Sequence, residues 1–176
     1  MQIRSGAPGR GVAALTLAAL GSALVLAASA QAQTVTIQVT SLSTVAIPHD
    51  IKPTHTVNKG DWIEFKDLLL NRVAQFGKKK GRAVAYDVGT ITYTSSSGRK
   101  LICKAIFPGV GTISYGGVVI DHKDGTTSFP ITGGTGGFKN AKGTVTFHAG
   151  ATTQPNTFVV TVPGDNLDIH GGGGVA

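Results

Sequence analysis

The sequence predicts an all-β fold, an antiparallel barrel or sandwich of about eight strands. Segments in which polar and apolar residues alternate recur along the chain, as expected for strands with one buried face. Turn signals rich in Gly, Pro, Asp and Ser separate these segments at intervals of roughly eight to twelve residues. No segment beyond residue 33 has the apolar period of a long helix.

Residues 1–32 are expected to be a secretory signal peptide and to lie outside the fold. Arg4 and Arg10 give a positive start, an apolar run follows over 11–28, and small residues then form a cleavage pattern. A membrane-spanning helix is the alternative, but the polar exit at Gln31 carries no basic stop-transfer cluster. We therefore expect a secreted or periplasmic protein with no stable membrane insertion after cleavage.

The remaining chain is expected to form one barrel domain over residues 33–165, followed by a flexible Gly-rich tail over 166–176. Residues 41–58 contain two prolines and no clean period, so an irregular connection is predicted there. Residues 69–80 could hold one short helical turn at most. The predicted strands, in order, cover 34–40, 62–68, 82–94 with a bend at Gly89, 99–107, 110–121, 128–132, 143–148 and 157–162.

A cluster of glycines before Phe138 permits two interpretations, a phosphate cradle or a sharp corner of a barrel. A phosphate loop needs a helix whose N-terminal amides face the anion, and residues 144–147 alternate like a strand instead. The cluster is therefore predicted to be a structural corner rather than a nucleotide site. It consists of Gly133, Gly134, Gly136, Gly137 and Phe138.

Composition excludes several classes of function. Cys103 is the single cysteine, so an internal disulfide, thiol redox cycling and a multi-cysteine metal site are excluded. The five histidines are scattered, and we predict neither a metal nor a cofactor. The net charge is +7, and much of the excess lies in residues 78–80 without interleaved aromatic residues. A solvated hairpin tip is the favoured interpretation, and nucleic acid is not an expected partner.

Several motifs resemble the allene oxide cyclase barrel-like and dirigent-like proteins. They are Gly60-Asp61, residues 65–68, Gly81, Gly89, residues 131–138 and residues 141–145, and the most specific is the Gly-Gly-Thr-Gly-x-Phe element within 131–138. The resemblance implies an eight-stranded antiparallel barrel with an apolar cavity, often assembled as a trimer. It also implies cofactor-free chemistry on an oily molecule. The cyclases of plants close a fatty-acid-derived epoxide into a cyclopentenone, and the dirigent proteins steer phenoxy radicals or quinone methides.

The best candidate site lies on the predicted strand 62–68. Side chains alternate across a strand, so Trp62, Glu64 and Lys66 share one face while Asp67 lies on the other. One face of a small barrel lines the cavity. A Glu in an apolar cavity can act as a general acid or base, and Lys66 would be the natural partner of Glu64. Alternatively, Glu64 and Lys66 form a surface pair and Phe65 points inward.

The resemblance adds candidates on both faces. Glu64 matches a functional Glu of the cyclases, although Lys66 stands where they have Asn. Asp67 matches an Asp at the end of the same strand in dirigent proteins. Lys142 stands where those proteins have Arg, and it lacks the planar fork that grips a carboxylate or phenolate. Three aromatic residues complete the expected binding set because a cavity aromatic could hold a phenolic ligand. They are Trp62, Tyr86 and Tyr115.

Three hypotheses of function follow. The favoured one is a secreted dirigent-like barrel that binds a small hydrophobic or phenolic molecule and steers its stereochemistry. The second is a cofactor-free cyclase or isomerase that uses Glu64, and it requires Glu64 to be buried beside the cavity. The third is a structural or surface-interaction protein whose outer wall forms a homotrimer.

Overall fold

The computed structural model describes residues 31–52, 56–148, 153–164, 167 and 169. It confirms the predicted fold class, because eight antiparallel strands form one closed barrel in sequence order. Each strand pairs with the next, and β8 returns to β1. The strands are β1 (Ala32–His49), β2 (Trp62–Asn71), β3 (Ala83–Tyr93), β4 (Arg99–Phe107), β5 (Gly111–Val118), β6 (Thr126–Gly136), β7 (Lys142–His148) and β8 (Thr153–Pro163).

The irregular connection predicted for residues 41–58 is wrong as far as His49. Strand β1 continues through a bulge at Thr44, whose hydroxyl donates to the carbonyl of Lys66 at 2.7 Å. Beyond Leu42 the strand pairs with β2 alone among the described residues. Pro48 is therefore tolerated, because it lies where one side of the strand is an unpaired edge.

The segment after β2 contains turns, and the described residues show no helical turn there. Gln75 and Lys78 exchange two backbone hydrogen bonds, with N···O distances of 3.1 and 2.9 Å. Inside the barrel the Gln75 side chain bonds both the N–H and the carbonyl of Gln38. These bonds pin the turn against β1 and so account for the burial of a Gln at this end of the barrel.

One end of the barrel is closed by packed apolar side chains. The rings of Phe107 and Phe138 lie 5.1 Å apart between centroids, and Phe158 packs edge-on against Phe107. Leu167 and Ile169, the two described residues of the predicted tail, are also buried here. The Ile169 carbonyl accepts a 2.6 Å hydrogen bond from the N–H of Phe76. This end therefore contains the main hydrophobic core.

The glycine cluster lies at the same closed end. Gly133, Gly134 and Gly136 belong to the last part of β6, and Phe138 enters the core from the turn toward β7. Gly136 has φ of +60°, and a Cβ there would lie 2.3 Å from the Val110 carbonyl oxygen. Only glycine fits that backbone contact.

The expected signal peptide falls almost wholly outside the described residues, and Ala32 already pairs with Pro163 in the barrel. Within the described ranges, no helix has the length and apolar character needed to cross a membrane.

Candidate functional site

The opposite end of the barrel holds a cavity of about 480 Å³. Inward-facing side chains from both halves of the barrel form its wall, and Val119, Asp121 and Gly125 of the β5–β6 connection line it at the mouth. The apolar wall includes Ile63, Phe65, Ile91, Leu101, Phe129 and Phe147, and the polar lining includes Ser41, Ser43, Asp67 and Gln154. A largely apolar pocket with a few polar groups is the usual form of a small-molecule site.

Gly89 shapes the wall of this cavity. It lies opposite Phe65 in the β2–β3 ladder. A Cβ on Gly89 would be 2.7 Å from Cζ of the Phe65 ring and 2.6 Å from the carbonyl oxygen of Ile102. The missing side chain therefore leaves the space in which the Phe65 ring lies against the barrel wall.

Two aspartates face each other across the β2–β3 ladder at the floor of the cavity. Asp67 lines the cavity, and its direct partner Asp87 is only 1% exposed. The Ser41 hydroxyl donates to Oδ2 of Asp67 at 2.8 Å, and the Tyr115 hydroxyl donates to Oδ2 of Asp87 at 2.8 Å. The Oδ1 atoms of both aspartates are buried and have no hydrogen-bond partner among the described residues. The floor thus contains two carboxyl oxygens whose bonding capacity is unfilled.

The electrostatics of the floor favour one protonated carboxyl. Burial raises the pKa of Asp87 to about 7; the Tyr115 hydrogen bond opposes this shift, and the charge of Asp67 adds to it. Burial, followed by the Asp87 charge, holds the pKa of Tyr115 well above its ordinary value. Tyr115 is therefore a neutral hydrogen-bond donor, and Asp87 changes its charge near neutral pH.

An ion pair stands at the mouth of the cavity. Nη2 of Arg99, at the start of β4, contacts Oδ2 of Asp121 in the β5–β6 connection. The Thr127 hydroxyl lies 3.4 Å from the other Asp121 oxygen. Arg99 is the only basic side chain among the described residues that line the cavity, and this ion pair occupies it.

The structure places Glu64 and Lys66 on the outer wall, which contradicts the expectation that they line the cavity. The Glu64 side chain is 57% exposed, and its Oε2 lies 3.7 Å from Nε2 of His49. The ammonium of Lys66 lies 4.8 Å from the centroid of the Tyr86 ring, also outside. The opposite face, with Phe65 and Asp67, is the inner one.

The remaining predicted binding residues divide between the two sides of the wall. Trp62 stacks on His49 outside the barrel, with ring centroids 4.6 Å apart. Tyr86 is likewise outside, and exposed Lys142 begins β7 at the closed end. These three residues do not line the cavity. Tyr115 lies inside, where it bonds to Asp87 beneath the floor.

Sequence analysis missed Asp87, Ser41 and the Arg99–Asp121 pair. Asp87 carried a usable signal, because Asp is depleted in strand interiors and this one stands in the middle of an otherwise apolar segment. The two partners at the mouth come from different parts of the barrel, Arg99 from the start of β4 and Asp121 from the β5–β6 connection. Only the folded arrangement brings them together.

No protein-family model matches the chain, and no curated protein matches it in sequence. Solved structures share its fold. A pyocyanin demethylase has a TM-score of 0.59 at 21% identity, over 72% of this chain and 99% of that one. A pterocarpan synthase dirigent protein has a TM-score of 0.58 at 16% identity, over 78% and 90%. An exo-specific intermolecular Diels–Alderase has a TM-score of 0.59 at 10% identity, over 75% and 99%. At these identities the likeness shows the barrel fold, which dirigent and cyclising proteins share.

Proposed function

We propose that this protein binds a small hydrophobic or phenolic molecule in the barrel cavity and steers its reaction without a cofactor. The observation that carries the proposal is the apolar cavity of about 480 Å³ with the Asp67 carboxyl group at its floor. The apolar wall would hold a ring system by burial, at about 25 cal/mol per Å² of apolar surface. The neighbours with this fold include proteins named for acting on small molecules, a pyocyanin demethylase and a Diels–Alderase among them.

Asp67 is the group that would orient the ligand. As a carboxylate it accepts a hydrogen bond from a phenolic O–H or an N–H, and in an apolar surrounding such a bond is stronger than in water. It could also remove a proton from a bound intermediate as a general base. Glu64 cannot take this role, because it lies on the outer wall.

A matched pair of tryptophan substitutions tests the binding site. Ile63→Trp fills the cavity from the inner face of β2, and Glu64→Trp places the same ring on the outer face one residue later. We expect Ile63→Trp to abolish the thermal shift produced by aromatic ligands, and Glu64→Trp to leave it unchanged. Loss of the shift in Glu64→Trp alone would contradict the proposal and favour an outer site.

We also propose that the outer wall is the surface through which copies assemble, as the family resemblance implies. Large apolar side chains stand exposed on this wall, and Ile102 on β4 is 63% exposed. Val45 and Ile47 are also exposed and lie with Ile102 along one depression of about 600 Å³. Glu64 and Lys66 border the same depression, so it carries charges of both signs. A second copy of this chain suits such a surface.

A further inference from the structure

The carboxyl pair at the cavity floor has one feature that ligand binding alone does not explain. Each aspartate has one oxygen anchored by a hydroxyl and one buried oxygen without a partner among the described residues. An ionised pair in this position would bury two like charges and leave two acceptors empty. Each of these features is unfavourable in a protein interior.

One shared proton would remove both the repulsion between two buried negative charges and the lack of a partner for the two Oδ1 atoms. Asp67 and Asp87 are directly opposite in the β2–β3 ladder, where Cβ atoms are about 4.5–5.5 Å apart, so the two carboxyl groups are close neighbours and the charge of Asp67 acts on Asp87. If Asp87 carries a proton on Oδ1 and donates it to Oδ1 of Asp67, both empty oxygens gain a partner. The pair then carries one negative charge instead of two.

Among the described residues, no basic side chain neutralises the charge of the two aspartates. Tyr115 and Cys103 face Asp87 from β5 and β4, and Ser41 faces Asp67 from β1. Burial raises the pKa values of both Tyr115 and the Cys103 thiol, so these groups stay neutral. Arg99 is the only basic residue among the described ones that line the cavity, and it pairs with Asp121 at the mouth. The charge of the floor is therefore set by the two aspartates.

We propose that Asp67 and Asp87 share one proton, and that the resulting single negative charge selects ligands carrying a cationic or neutral hydrogen-bond donor and rejects anionic ones. This inference rests on the proposed binding site and names the class of molecule it takes: a compact apolar or aromatic compound with an ammonium, N–H or O–H group placed against Asp67. Carboxylates, such as fatty acids, are excluded. The Arg99 charge at the mouth is offset by the Asp121 carboxylate paired with it, so this pair offers carboxylates no net positive charge.

Three naphthalene probes of equal size test the charge preference at pH 7. They are 2-naphthylmethylamine as the cation, 2-naphthol as the neutral donor and 2-naphthoate as the anion. Titration calorimetry on the full chain should show the amine binding at least about tenfold more tightly than naphthoate. Asp67→Asn should reduce that ratio toward one. The control variant Glu64→Gln removes a carboxylate from the outer wall and should leave the ratio unchanged.

The shared proton can be detected separately from the charge preference, through proton release on binding and through the titration of the carboxyl groups. A cation bound against Asp67 favours ionisation of Asp87, so the amine should release protons as it binds. The measured heat will then depend on the ionisation enthalpy of the buffer, and Asp87→Asn should remove that dependence. In the empty protein, ¹³C spectra of the Asp carboxyl carbons should show two coupled titration steps for the pair, and a single step in Asp87→Asn.

The outcomes distinguish the proposed charge preference from the proposed binding site in the cavity. Equal affinity for amine and naphthoate, unchanged in Asp67→Asn, overturns the charge preference while binding itself stands. Absence of proton release in the unmodified protein overturns the shared proton. If none of the three probes binds, or if Ile63→Trp binds them as well as the unmodified protein does, the proposed cavity site is wrong and this inference falls with it.

Discussion

Asp87 links the protonation of one buried side chain to the stability of the whole barrel. Its pKa is about 7 in the folded protein, against an ordinary value of 3.8. Between those values the folded state binds more protons than the unfolded state. The stability that protonated Asp87 contributes is therefore fully present below about pH 4 and is lost as the pH rises through about 7.

The substitution Asp87→Asn should remove most of this pH dependence. The amide keeps the shape and can donate to Asp67, but it does not ionise. We expect the variant to exceed the unmodified protein in free energy of unfolding at pH 8, by at most about 4 kcal/mol, and to differ less at pH 5. Urea unfolding at the two pH values measures this difference, with Asp121→Asn at the exposed mouth as the control. An identical pH slope in the Asp87→Asn variant and the unmodified protein would contradict this account.

Individual residues also show where prediction from sequence stops. Strand alternation correctly separated Glu64 from Asp67, but it could not decide which of the two faced inward. Both faces of β2 carry an aromatic residue, Trp62 on one and Phe65 on the other, so the apolar pattern is nearly symmetric. Packing between β2 and β3 determines which face of β2 points inward, because Gly89 on β3 leaves room for the Phe65 ring only on the inner side.

At the scale of elements, the Asp61 carboxylate binds two backbone N–H groups of the connection between β1 and β2. Oδ1 of Asp61 accepts the backbone N–H of Ile51 at 2.9 Å, and Oδ2 accepts that of Asn58 at 2.6 Å. These backbone bonds, with that from Asn58 the stronger influence, lower the pKa of Asp61. The connection joins β1 and β2 at the end of the barrel that holds the cavity.

We expect Asp61→Ala to loosen this connection. Without the carboxylate, the N–H groups of Ile51 and Asn58 lose these acceptors, so their amide hydrogens should exchange faster and the free energy of unfolding should fall. Hydrogen exchange followed by mass spectrometry can localise the effect. Asp50→Ala, an exposed acidic residue of the same connection, serves as the comparison. Equal acceleration in both variants would show that lost charge, and not the lost bonds, is responsible.

The strands themselves were largely predictable because their residues alternate and their turns contain Gly, Pro and Ser. Strand β4 has the predicted limits, and the hairpin at Ser95 closes through bonds to Gly98. The extension of β1 to His49 was not predictable from local pattern, since a bulge at Thr44 interrupts the alternation and Pro48 argues against a strand. Pairing with β2 overrides both local signals.

For the whole molecule, the proposed assembly depends on exposed apolar side chains of the outer wall. Ile102 projects from the outer wall between Lys100 and Lys104 on β4, and Val159 projects from the outer wall of β8, where it is 39% exposed. If copies meet at the depression that contains Ile102, then Ile102→Lys adds a third positive charge to that contact and should dissociate the oligomer. Val159→Lys should not.

Light scattering coupled to size exclusion, at matched protein concentrations, compares these two variants with the unmodified chain. The expected result is a trimer for the unmodified protein and for Val159→Lys, and a monomer for Ile102→Lys. A monomeric unmodified chain would contradict the proposed assembly. Dissociation by Val159→Lys alone would place the contact on β8.

The pairing of β8 with β1 has a consequence for how the chain folds. It joins Ala32 to Pro163, near the two ends of the described chain, and the buried Leu167 and Ile169 follow only after it. Contacts between such distant residues form slowly, because a long loop must close first. Until then β1 and β8 expose unpaired edges that can join other chains. Aggregation during refolding should therefore compete with the last step of folding, and a ligand that fits only the closed barrel would reduce the loss by trapping the finished form.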